Sequence, residues 1–122
     1  MTAETKFEGD DLRKIDPKFM GERFRQYLAA VAALKEIARA RFGKSVIALA
    51  VRWILDSGPT IALWGARRPE QLNPIGEIDG WHIDEATKTD IDAILSRICD
   101  PISPQFMAPP LRREATQSHS AA

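Results

Sequence analysis

Apolar residues recur at helical spacing between positions 22 and 42. Phe24, Tyr27, Leu28, Val31, Leu34 and Ala38 fall on one face, with Arg25, Lys35, Glu36 and Arg39 tending to the other. This spacing predicts a first helix, ended at Gly43, which accepts a left-handed backbone without a Cβ penalty. Ser45 is placed to cap a second helix, its hydroxyl accepting from a backbone N–H that lacks an intrahelical partner. That helix runs to about Asp56 and is apolar nearly all round, from Val46 and Ile47 to Ile54 and Leu55. A helix of that kind needs cover on more than one side.

Ser57, Gly58 and Pro59 break the pattern. The next apolar run, IALW at 61–64, is short, continuous and bounded by Pro and Gly. It predicts one short strand buried on both faces. Pro69 then opens a short helix, where its missing N–H costs nothing. Pro74 is expected to stop that helix near Asn73. Residues 75–82 read as a loop holding Trp81 and His82. Asp84 caps a last helix at about 85–98, with Ile91, Ile94, Leu95 and Ile98 at helical spacing, closed by Asp100 and Pro101. Residues 1–18 are polar and turn-rich, an irregular lead-in with little to bury. Prolines at 101, 104, 109 and 110 predict an extended tail, with Phe106 and Met107 as possible anchors. Residues 111–122 read as a disordered tail.

Composition narrows the function classes. The 122 residues suffice for one small domain. Seventeen basic and seventeen acidic residues give a net charge of +0, with no global pull toward nucleic acid or anionic lipid. No apolar run approaches the ~20 residues of a membrane helix, and the N-terminus lacks a signal-peptide layout. The single cysteine, Cys99, excludes an intrachain disulfide and suits a reducing compartment. The expectation is a cytoplasmic protein with no membrane and no nucleic-acid partner.

Candidate chemistry concentrates in PTIALWGARRPEQL at 59–72. A Gly65-Ala66 turn, the adjacent guanidiniums of Arg67 and Arg68, and a helix start at Pro69 form an arrangement suited to an anion. Two arginines in a surface turn are most often just solvated, or paired with nearby acids. Metal ligation is not expected, because His82, His119 and Cys99 are far apart in sequence. Two histidines so placed make no catalytic triad. Asp90 and Asp92 read as a solvated helix face, and no GxGxxG run is present.

The turn from Gly65 to Leu72 resembles the last barrel strand and following loop of the aldo/keto reductases, which often carry Gly-Ala/Thr-Arg and then Pro-Glu-Gln-Leu. ALAVRWIL at 48–55 resembles the helix before that strand. Gly80 with Trp81, and IDAI at 91–94, resemble the segment that closes the barrel. The resemblance covers most of residues 12–110, so 1–110 is read as a partial reductase-like domain. It implies the α/β class by family, the C-terminal part of a (β/α)8 TIM barrel, a fold that needs about 250 residues when complete. The chain alone is then mostly α-helical with one strand, and Met1 falls where a full-length relative has an internal residue.

The resemblance further implies an NADP-dependent oxidoreductase acting on small carbonyls or alcohols when the barrel is complete. Carried over by position, Gly65 and Ala66 make backbone contacts and Arg67 meets the adenosine 2′-phosphate. Arg68 is a second phosphate contact, and Gln71 lies at the adenosine end. The usual Glu-Asn that holds adenine is replaced by Pro74 and Ile75. The family's Tyr, Asp, Lys and His lie on earlier strands, so no catalytic residue is assigned. Tyr27, on an apolar helix face, does not inherit the role. Alternatives are a non-catalytic remnant acting as a helical interaction module, or a small anion- or nucleic-acid-binding protein. The all-round apolar second helix and unpaired strand edges also predict self-association.

Overall fold

Short polar side chains set the helix ends wherever the sequence offers them. The computed structural model describes residues 1–99. Helix α1 spans Gly21–Ile37, α2 spans Val46–Asp56 and α3 spans Glu85–Leu95. Ser45 Oγ accepts from the Ala48 N–H at 3.3 Å, capping α2. Asp84 Oδ1 accepts from the Thr87 N–H at 2.8 Å and its Oδ2 from the Thr87 hydroxyl at 3.0 Å, capping α3. After α1 the chain widens into a π-helical turn, Ala38–Phe42, and stops at Gly43, whose φ of 62° is left-handed as the sequence predicts.

Helix α1 packs against both α2 and α3, and α2 also packs against a three-ten segment, Pro69–Glu77. The core where they meet is Ala38, Leu49, Ile83 and Ile91, with Leu34, Ile37, Phe42 and Trp81 against it. The Trp81 ring lies 4.7 Å from Phe42, and its Nε1–H donates to the Glu77 carbonyl at 2.7 Å. A buried indole is favourable only with such a partner. Burying Leu49 or Ile91 contributes about 1.5–3 kcal/mol each, so these few side chains carry much of the helix packing.

Several expectations are corrected. Among the described residues there is no strand, and hence no sheet and no part of a TIM barrel. The chain over those residues is helical, and 61–64 has no regular structure. A strand exists through its ladder with another strand, and residues 1–99 supply none. Nor is the run buried on both faces: Ala62 and Trp64 are half-buried, while Ile61 and Leu63 are 85% and 93% exposed.

The lead-in has no helix or strand over residues 1–11, as expected, but is more ordered beyond them. Asp11 and Asp16 each cap a three-ten turn, Leu12–Lys14 and Pro17–Phe19. Phe7 buries an edge against Phe19 at 5.4 Å between ring centroids, and Phe24 joins the cluster. The helix at Pro69 runs past Asn73, because proline's fixed φ fits a three-ten backbone. Helix α3 ends at Leu95 rather than 98. On α1, Val31 is exposed although it shares the spacing of the buried face. The expectations for the tail, including Phe106, Met107 and residues 111–122, lie outside the described residues.

Candidate functional site

The turn after Trp64 is held from within. The Gln71 side-chain oxygen accepts from the Arg67 N–H at 2.8 Å and from the Arg68 N–H at 3.1 Å. The Gln71 N–H donates back to the Arg68 carbonyl at 3.1 Å. Three bonds thus fix the start of the three-ten segment, and the two turn N–H groups are already used. What remains for a ligand is the guanidinium groups. Neither Arg67 nor Arg68 has a side-chain hydrogen bond or ion pair among the described residues.

Gly65, Ala66, Arg67 and Gln71 line an open cavity of about 540 Å³. Four of the five residues singled out in the turn therefore meet. Arg68 is exposed and does not line the cavity. Asp11, Leu12 and Arg13 line the same cavity. Asp11 Oδ1 accepts from Arg13 Nε at 2.9 Å, and its Oδ2 from Arg13 Nη2 at 2.5 Å. The Arg13 backbone N–H reaches Oδ1 as well, at 3.0 Å. Arg13 also lies over the Phe7 ring, 4.4 Å from its centroid.

These bonds from Arg13 hold the Asp11 carboxyl down at about 2, with the charge of Arg67 adding to the effect. Asp11 therefore stays ionised to a lower pH than an ordinary carboxylate. Asp11 and Arg13 were not singled out in the sequence, because 54 residues separate Arg13 from Arg67. The available signal was Asp11 directly before Leu12, an N-cap pattern read only as a turn.

Elsewhere the polar clusters are structural. Asp56 binds Arg52 Nε, His82 Nδ1 and the Ile83 N–H, each at 2.9 Å. Such a saturated carboxylate has little capacity left to move a proton. Tyr27 is half-buried on α1, in a shallow pocket with Phe19, Phe24 and Leu28. A second cavity, about 300 Å³, is lined only by apolar side chains, among them Leu34, Leu49, Trp53 and Leu95, and offers no reacting group. Among the described residues no group of three His, Cys, Asp or Glu could hold a metal ion. No helix there is long and apolar enough to cross a membrane.

The chain is 57% identical over 116 residues to the aldo-keto reductase YhdN of Bacillus subtilis, covering 93% of this chain and 35% of that protein. In structure it matches the glycerol dehydrogenase of Gluconobacter oxydans, with a TM-score of 0.75 and 49% identity, over 88% of this chain and 33% of that one. The chain thus spans about a third of the length of these relatives. The sequence model of the aldo/keto reductase family matches residues 2–96, so the chain belongs to that family.

Proposed function

We propose that this chain is the C-terminal, cofactor-phosphate-binding part of an NADP-dependent aldo/keto reductase and is not catalytic by itself. The observation that carries this reading is the cavity lined by Gly65, Ala66, Arg67 and Gln71, where the Arg67 guanidinium has no hydrogen-bond or ion-pair partner among the described residues. The donor set fits the group: NADP differs from NAD by one phosphate monoester, carrying about −1.5 to −2 charge. Arg67 can hold such a phosphate through two parallel N–H bonds, and the exposed Arg68 beside it in the chain adds long-range attraction. The Gly65-Ala66 turn puts no bulky side chain in the approach. Pro74 and Ile75 give adenine no side-chain polar partner, so on this reading the phosphate rather than the base is what the segment recognises.

The cofactor supplies hydride chemistry when bound, and this chain's residues hold its phosphate end. The substrate class is a small carbonyl or alcohol. It fits the names of both relatives, an aldo-keto reductase and a glycerol dehydrogenase. A second reading, a non-catalytic helical interaction module, is favoured by the exposed Ile61 and Leu63.

Arg67→Ala decides between a bound and a solvated arginine. A hydrogen bond to a charged group contributes roughly 1.5–3 kcal/mol, and the low end applies to an exposed guanidinium. Calorimetric titration should show NADP⁺ binding weakened about tenfold, at 1.4 kcal/mol per factor of ten, with NAD⁺ binding unchanged. An unaltered ratio of the two affinities would leave Arg67 as a solvated surface charge.

A further inference from the structure

We propose that the His82 ring is a surface acceptor for a phosphoryl group, taken at Nε2 from an acyl phosphate, with Asp56 as the residue that positions it. His82 Nδ1 lies 2.9 Å from Asp56 Oδ1. The Asp56 side chain is 8% exposed and the His82 side chain 80% exposed. An ionised carboxylate can only accept hydrogen bonds. Nδ1 must therefore carry the proton, and in the neutral ring Nε2 keeps its lone pair. Among the described residues nothing bonds Nε2. The pair shares no residue with the arginine turn.

The carboxylate is itself fixed. Arg52 Nε donates to the same Oδ1 at 2.9 Å, and the Ile83 N–H donates to Oδ2 at 2.9 Å. Both chain neighbours of His82 are anchored as well. The Trp81 Nε1–H donates to the Glu77 carbonyl at 2.7 Å, and Ile83 belongs to the core. An exposed ring is thus held through its backbone and through one nitrogen, while the other nitrogen faces no competing donor. In the transfer, the Nε2 lone pair forms a bond to phosphorus. The P–O bond to the acyl oxygen breaks, and a carboxylate leaves with the electron pair. The proton stays on Nδ1, so the ring becomes cationic, and the Asp56 charge stabilises that cation as an acid behind a histidine does. Asp56 moves no proton.

The full 122-residue chain is incubated with acetyl phosphate at neutral pH, and the label is located by peptide mass mapping and phosphorus NMR. His119 is the reference within the same molecule. His82 should be labelled faster than His119, and at Nε2. Asp56→Asn should slow labelling of His82 roughly tenfold, the scale of one hydrogen bond to a charged group, and leave His119 unchanged. Nitrogen NMR of the unmodified chain at mildly alkaline pH should show the Nδ1–H tautomer at His82. That measurement needs no substitution, so it decides the matter if Asp56→Asn melts too low to be used. Labelling of His82 no faster than His119, or phosphate found at Nδ1, would overturn the proposal. So would an Nε2–H tautomer, or an unchanged rate in folded Asp56→Asn.

Discussion

Asp56 accepts a hydrogen bond from Arg52 Nε at 2.9 Å, one turn back along α2, and the two side chains are only 8% and 12% exposed. The other carboxylate oxygen takes the Ile83 N–H at the entrance to α3. Asp56→Ala would leave the Arg52 guanidinium with only its long 3.4 Å bond to the Ile78 carbonyl, and the Ile83 N–H without its acceptor. The expected loss is about 3 kcal/mol, the low end for breaking one side of a buried pair, read as a lower urea midpoint with an unchanged slope. A loss below roughly 1 kcal/mol would put the pair with surface ion pairs. His82, 80% exposed, should matter far less, and His82→Ala should change stability by under about 1 kcal/mol.

Acid should weaken the fold through carboxylates held below their ordinary values, among them Asp56, Glu77 and Asp84 at the helix ends. Burial of Asp56 opposes its ionisation, but the Ile83 N–H, His82 and the Arg52 charge outweigh it and hold its carboxyl below the ordinary 3.8. The Ser45 N–H and hydroxyl hold Glu77 below 4.5, and the Thr87 N–H and hydroxyl hold Asp84 below 3.8. In each case the folded state binds the proton less well than the unfolded chain. Their stabilisation is therefore complete above the ordinary values and disappears as pH falls through the lowered ones. The melting temperature should be level from neutral pH down to about 5 and drop below about 4. Glu77→Gln should flatten the upper part of that drop. A melting temperature that rises on acidification would contradict the assignment.

Gln71 is expected to act on ligand binding through the backbone. Replacing it with Ala removes the acceptor for both the Arg67 and Arg68 N–H groups. Water can replace it on this exposed turn, so stability should change by no more than about 1 kcal/mol. The turn, however, loses its fixed form, and amide exchange at 67 and 68 should become fast. NADP⁺ affinity should fall several-fold in parallel. Retained protection at both amides in Gln71→Ala would show that another contact orders the turn.

Self-association is expected at the uncovered apolar surface. Ile47 and Trp53 are exposed on α2, and Ile61 and Leu63 stand out from 61–64. Sedimentation velocity should show species larger than the monomer. Ile61→Lys with Leu63→Lys should shift the distribution toward the monomer, because charge on an exposed extended segment discourages pairing. A distribution that is monomeric in both chains would remove this prediction.

What was legible in the sequence was local. Ser45, Asp84 and Gly43 each act within a few residues, and each ends or begins a helix where the sequence places it. The run at 61–64 shows the opposite case. Its apolar composition suits a strand, but a strand is a relation between two segments, and residues 1–99 contain no second one. Val31 fits the helical period and is nonetheless exposed, since spacing fixes a direction and not the presence of a neighbour. The site divides in the same way. Gly65, Ala66, Arg67 and Gln71 follow one another in the chain and were found together. Asp11 and Arg13 reach that cavity only through the fold.

The carboxylate at the end of α2 has a topological consequence. Through one oxygen it meets His82 and through the other Ile83, 26 and 27 residues ahead. The chain that leaves at Ser57 thus returns to its point of departure, and the arginine turn travels on a closed excursion with a fixed footing. Lengthening a loop whose ends are already pinned is cheap, about 0.6 kcal/mol per doubling. Extra residues inserted at 58–60, ahead of the part that packs against α2, should therefore cost the fold little, whereas Pro69–Glu77 must stay in place to cover that helix.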